Sequence, residues 1–194
     1  MTLRVDLELI AGWIAPGSRV LDLGCGDGAL LAHLRDSRGC RGYGVDIDDG
    51  HVLDCIRAAV NVIQADLESG LRMFSDDMFD VVVLSQTLQA MHNTEGILRE
   101  MARVARQGIV SFPNFGHWKH LLALAGGHMP VSPQMPYQWY DTPNVHLCTP
   151  KDFEILAARL GFAITGRALL ADGRTVEWAP NLRATLAVYR FEGR

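Results

Sequence analysis

Residues 20–28 constrain this chain more than any other stretch: Val20-Leu21-Asp22-Leu23-Gly24-Cys25-Gly26-Asp27-Gly28. Val20, Leu21 and Leu23 form a short apolar run broken by one carboxylate. Three glycines follow at alternate positions, and Ala29-Leu30-Leu31-Ala32-His33-Leu34 then resumes at helical spacing. That order reads as strand, tight turn and helix start. Glycines in such a turn admit positive φ and let a ligand lie against the backbone. The first helical turn adds N–H groups that have no partner within the helix. A nucleoside site at the tip of this strand is the expectation.

The rest of the chain repeats the alternation. Leu3, Leu7, Ile10 and Ile14 recur at three- and four-residue steps, predicting an amphipathic helix that ends near Pro16-Gly17. Strands are predicted at 19–23, 42–47, 60–65, 79–85 and 108–112, separated by helices at about 29–36, 48–59 and 96–105. The run 79–85 is apolar almost throughout, as expected of a strand covered on both faces. After 113–150, Thr149 and Pro150 open another helix to about Gly161, with Thr149 as N-cap and Pro150 at the first position. Two late strands, 164–170 and 185–191, are expected to pair as an antiparallel edge. The fold class is therefore α/β and Rossmann-like: one domain over 1–194 with a mostly parallel seven-stranded sheet, helices on both faces and right-handed crossovers. Ligands of such sheets gather at the carboxyl ends of the strands, where Asp22, Asp46, Asp66 and Ser85 all fall.

Composition excludes several classes. At 194 residues and 48% hydrophobic content the chain can bury a full core without staples. Net charge is −4 with no run of three basic residues, which argues against nucleic acid. Cys25, Cys40, Cys55 and Cys148 form no CxxC pair and no zinc spacing, and a reducing cytoplasm fits them. Asp6 and Glu8 interrupt the N-terminal region, so neither a signal peptide nor a membrane span is expected. No metal site is expected either: His117 and His120 lack a third ligand at motif spacing.

The ligand needs a finer argument, because Gly24-x-Gly26-x-x-Ala29 also fits the dinucleotide fingerprint. Asp22 directly before the glycines would repel a pyrophosphate but can help hold a cationic amine. Asp46 lies 20 residues beyond Gly26, where an acid reaches ribose hydroxyls, and Asp66 ends the next strand as an acceptor for an adenine amino group. The chain then closes with two strands rather than a second mononucleotide half.

These residues together resemble the class I S-adenosylmethionine-dependent methyltransferase family over about 19–191. The resemblance implies Asp22, Gly24, Cys25, Gly26 and Gly28 around the methionine portion, Asp46 on the ribose and Ile47 on adenine. It further implies Asp66 and Leu67 at the edge of adenine, and Ser85 near the loop after the fourth strand. Ser85-Gln86-Thr87-Leu88 stands where amino-group methyltransferases of DNA or glutamine carry Asn/Asp-Pro-Pro-aromatic, which makes those substrates unexpected.

Two longer strings narrow the resemblance: Ser111-Phe112-Pro113-Asn114-Phe115-Gly116-His117-Trp118, and the run from Pro136-Tyr137-Gln138-Trp139 to His146-Leu147-Cys148-Thr149. With 85–90 they are similar to the MetW family of methionine biosynthesis proteins, nearly end to end. That family often has Glu at the ribose position, where this chain has Asp46. The resemblance implies a bacterial cytoplasmic protein that binds S-adenosylmethionine or S-adenosylhomocysteine and acts with homoserine O-acyltransferase. The alternative is an active methyltransferase for a small acceptor, with His117, Tyr140 or His146 as candidate bases and no catalytic residue assigned. Trp118, Tyr137, Trp139 and Tyr140 lie in the 113–150 segment, a candidate lid or partner surface.

Overall fold

A computed structural model describes residues 3–193. Helix α1 (Val5–Trp13) precedes β1 (Arg19–Leu23), α2 (Ala29–Arg38), β2 (Arg41–Asp46), α3 (Asp49–Arg57) and β3 (Val62–Gln64). A 3-10 turn at Leu67–Ser69 leads to β4 (Phe79–Ser85), and a second at Leu88–Ala90 leads to α4 (Thr94–Val104) and β5 (Ala105–Pro113). Then follow α5 (Trp118–Ala125), α6 (Pro150–Arg159), β6 (Ala163–Ala171), β7 (Arg174–Thr175), α7 (Pro180–Arg183) and β8 (Leu186–Glu192).

All the strands join one sheet in the order β3-β2-β1-β4-β5-β8-β6-β7. The first five pair in parallel, and β8 runs antiparallel between β5 and β6. The count is eight where seven were expected. The addition is β7, two residues that fold back on Leu170 and Ala171 around the turn at Asp172-Gly173. A strand that short shows no alternation in sequence.

Alternate residues of the central strands serve two cores. Val81 and Val83 face Ile10 of α1, Ile14 just after it, and Leu30 and Leu34 of α2; Val82 and Leu84 face Ile97, Leu98 and Met101 of α4 and Phe153 of α6. Local signals set the helix starts. Asn93 caps α4 by accepting from Gly96 N, and Thr149 caps α6 through Asp152 N with Pro150 next.

Helix α1 departs from its expected face. Its buried residues are Asp6, Ile10 and Ala11, while Leu7 is only half-buried at the edge. A carboxylate four residues ahead of Ile10 shares the inward stripe, and an apolar pattern cannot register it.

The segment after β5 is tied down at both ends. Asn114 is fully buried, donating from Nδ2 to the carbonyls of Asn181 and Ala184 and accepting from Gly116 N on Oδ1. At the far end, Val145 N and His146 N both donate to the Gln89 carbonyl. Among the described residues, no helix is long and apolar enough to cross a membrane.

Candidate functional site

The tips of β1, β2 and β4 meet around the glycine turn. Gly24 N and Cys25 N donate to the Val45 carbonyl at 2.8 and 3.2 Å, which pins the turn against β2. Gly26 N donates to Asp46 Oδ2 at 2.8 Å. Gly26 has φ +55°, and a β-carbon there would meet nothing within 4 Å, so open space lies directly over this backbone. That is the cradle a flat ligand needs.

Asp46 is 7% exposed, and its second oxygen accepts from Asp48 N at 3.0 Å and faces His51 Nδ1 at 3.2 Å. It thus holds the turn as well as offering its remaining lone pairs to a ligand. His51 escaped the sequence reading. Ile47, next in the chain, is 64% exposed, an apolar platform beside the acids. Asp66 is exposed, and its Oδ1 caps the following 3-10 turn through Glu68 N; Leu67 packs half-buried against the core. Asp22 is 3% exposed. Burial pushes its carboxyl up to about 7, with nearby Asp46 adding to the rise and the Arg4 guanidinium opposing it.

Ser85 sits at the tip of β4, but its hydroxyl is engaged elsewhere. It accepts from Arg4 Nη2 at 2.7 Å, donates to Asp6 Oδ2 at 3.1 Å and lies 3.1 Å from Ser111 Oγ. Asp6 is the hub of this cluster. Its Oδ2 also accepts from Gln86 Nε2 and Ser111 Oγ, and both of its oxygens accept from Arg4. Burial raises the Asp6 pKa, but Arg4 and the bonds from Gln86 and Ser85 outweigh it, so the carboxyl stays below its ordinary value. Gln86 holds φ +52°, a costly conformation for a residue with a β-carbon, and one that accompanies its bond to Asp6. Sequence reasoning missed Arg4, Asp6, Gln86 and Ser111 as a cluster. The available signal was a carboxylate on an otherwise apolar helix stripe.

Arg4 is therefore the cation beside Asp22, and with Leu7, Asp27, Ala29 and His33 it also borders a cavity of about 580 Å³. Arg4 and Asp22 thus put a cation and a carboxyl close together at the tip of β1. A pyrophosphate would meet Asp22 and Asp46.

The candidate bases are scattered. His117 is buried at the N-cap of α5, where burial and the neighbouring His120 and Lys119 depress its pKa. His146 is exposed, with Nε2 3.3 Å from the His92 carbonyl. Tyr140 is 70% exposed and packs edge-on against Trp139, itself 71% exposed. Trp118 and Tyr137 are also exposed, so these four aromatics form no core. Among the described residues no group of three His, Cys, Asp or Glu side chains is placed to hold a metal.

A family model described as methionine biosynthesis protein MetW matches residues 4–191. A bifunctional methionine biosynthesis protein MetXA/MetW from Rhodopirellula baltica is 38% identical over 98% of the chain, which spans 33% of that polypeptide. A demethylmenaquinone methyltransferase from Mycolicibacterium paratuberculosis is 36% identical over 49% of the chain and 40% of its own length. Among solved structures, an S-adenosylmethionine-dependent methyltransferase from Mesorhizobium loti shares the fold with TM-score 0.71 and 18% identity, over 97% of this chain and 98% of the other. One from Archaeoglobus fulgidus does so with TM-score 0.69 and 17% identity, over 96% and 94%.

Proposed function

The chain belongs to the MetW family of methionine biosynthesis proteins, and on that premise we propose that it binds S-adenosylmethionine or S-adenosylhomocysteine and acts with a homoserine O-acyltransferase. The observation that supports the binding is Gly26: its N–H is held by Asp46, and a β-carbon there would meet nothing within 4 Å. In this reading Asp46 and, beside it, His51 take the ribose hydroxyls, Ile47 supports adenine, and Asp66 and Leu67 border it. Asp22 and the Gly24–Gly28 turn surround the amino-acid end, with Arg4 on its carboxylate. Ser85 and Asp6 then act indirectly, by fixing Arg4.

The partner reading rests on the fused relative, in which a MetXA portion shares one polypeptide with a region similar to this chain. The segment from Trp118 to Leu147 supplies contact surface in this view, since it carries Trp139, Tyr140, Leu122 and Met129 exposed. Co-purification of the two proteins, with acyltransferase rate measured with and without this chain, tests it. A stable complex with a changed rate is expected; no complex and an unchanged rate would refute it.

The second reading, an active methyltransferase, is favoured by the named methyltransferases that match half of the chain. When bound, the sulfonium supplies an already activated methyl group. The chain then has only to exclude water and hold an acceptor in line at about 3 Å. His117, whose depressed pKa keeps it neutral at physiological pH, is able to take a proton. Incubation with radiolabelled cofactor and a metabolite extract should give a labelled product; cofactor binding without label argues against it.

A further inference from the structure

A cavity of about 550 Å³ lies between α4 and α6, and it shares no lining residue with the glycine-turn site. It falls within the roughly 300–1,000 Å³ typical of small-molecule sites. Its wall is apolar where Leu88, Phe112, Phe153 and Leu156 meet, and its polar lining sets Glu95 and Asp152 against Arg159, with His92 and His146 beside them. Glu95 and Arg159 form an ion pair, but both side chains are about half exposed, so the pair re-forms around a new partner at small cost. Asp152 accepts from Thr149 Oγ1 on Oδ2 alone, which leaves Oδ1 for a donor.

Gln89 also borders the cavity, although its side-chain oxygen is buried away from it. Its Nε2 donates to the Gln86 carbonyl at 2.6 Å, which fixes the amide orientation, and its Oε1 has no donor among the described residues.

This lining selects by elimination. A simple anion meets Glu95 and Asp152, a simple cation meets Arg159, and a purely apolar molecule leaves all three charges unanswered. A zwitterion satisfies them together. An ammonium suits Glu95 and Asp152, a carboxylate suits the Arg159 fork, and an unbranched apolar side chain covers Leu88, Phe112, Phe153 and Leu156.

We propose that this cavity is a second ligand site, which binds an apolar α-amino acid as its zwitterion. The site stands whatever occupies the glycine turn.

Three matched probes test it on the full chain by calorimetric titration: L-norleucine, pentylamine, which is norleucine without its carboxylate, and hexanoate, which is norleucine without its ammonium. Norleucine is expected to bind saturably at one equivalent, and each truncated probe about tenfold more weakly or worse, as for a lost charge-assisted contact. L-methionine, close to norleucine in shape, should bind alike. Leu156→Trp fills the apolar end and should abolish binding. Arg159→Gln, on an exposed side chain that folding does not depend on, should weaken it about tenfold with an unchanged melting temperature. The assignment is overturned by any of three results: no saturable heat up to about 10 mM, equal binding of the three probes, or displacement of norleucine by S-adenosylhomocysteine.

Discussion

A β-carbon on Gly26 would stand in open space, whereas one on Gly28 would sit 2.9 Å from Cys55 Sγ, and the two substitutions should therefore fail differently. Gly26→Val is expected to abolish nucleoside binding, since the added atoms occupy ligand space, with a backbone-strain cost of about 1–3 kcal/mol from the φ of +55° there. Gly28→Ala, at φ +76° against a buried thiol, is expected to lower stability by about 1–3 kcal/mol. Titration calorimetry and urea unfolding on both variants separate the effects. Asp46→Ala removes the proposed ribose acceptor and the anchor of Gly26 N together, so affinity for the nucleoside should fall by about 1.5–3 kcal/mol. Asp22 gives a pH signature. With its carboxyl pushed up to about 7, chiefly by burial, the group is neutral below that value and charged above it. A cationic ligand favours the charged form, so affinity should rise with pH through about 7, by up to roughly tenfold per unit on the acid side, and Asp22→Asn should flatten the profile. The same shift acts on folding with the opposite sense. The folded chain keeps a proton that the unfolded chain releases near 3.8, so this group's contribution to stability is largest below that value and is lost as pH rises toward 7.

At the scale of elements, α1 is held to the sheet by a polar cluster as well as by Ile10 and Ile14. Asp6→Ala would strip the acceptor from Arg4, Gln86 and two buried serine hydroxyls, and the expected cost is about 2–3 kcal/mol. Because the Asp6 carboxyl lies below its ordinary value, its contribution is present at neutral pH and is lost as pH falls through that lowered value. Hydrogen exchange should then show α1 losing protection before the central strands on acidification. Helix α6 is a simpler case. Thr149→Ala removes its side-chain cap and should cost about 1 kcal/mol, read from the unfolding midpoint.

For the whole molecule, the exposed aromatics separate folding from association. Trp139→Ser with Tyr140→Ser should leave stability within about 0.5 kcal/mol and yet lower affinity for the acyltransferase; unchanged co-purification would remove this surface from the partner reading. The order of elements, the glycine turn and the acids at the ends of β1 and β2 were legible because each is written in neighbouring residues: apolar runs, glycine spacing, and a carboxylate that closes a strand. The caps Thr149 and Asn93 are similarly local, and the α6 start was read from Thr149-Pro150 directly. Strand β7 was invisible, since two residues carry no period. The sequence alone thus determined which strands exist, which way most of them run, and that acids collect at their tips, because secondary structure and parallel α/β topology follow from short-range patterns. Tertiary structure alone decided that Asp6, 79 residues from Ser85 and 105 from Ser111, would be the acceptor for both, that Arg4 would stand beside Asp22, and that Gln89 would border a second cavity. Those contacts join elements far apart in the chain, and no local spacing encodes which polar group will be carried to which strand tip.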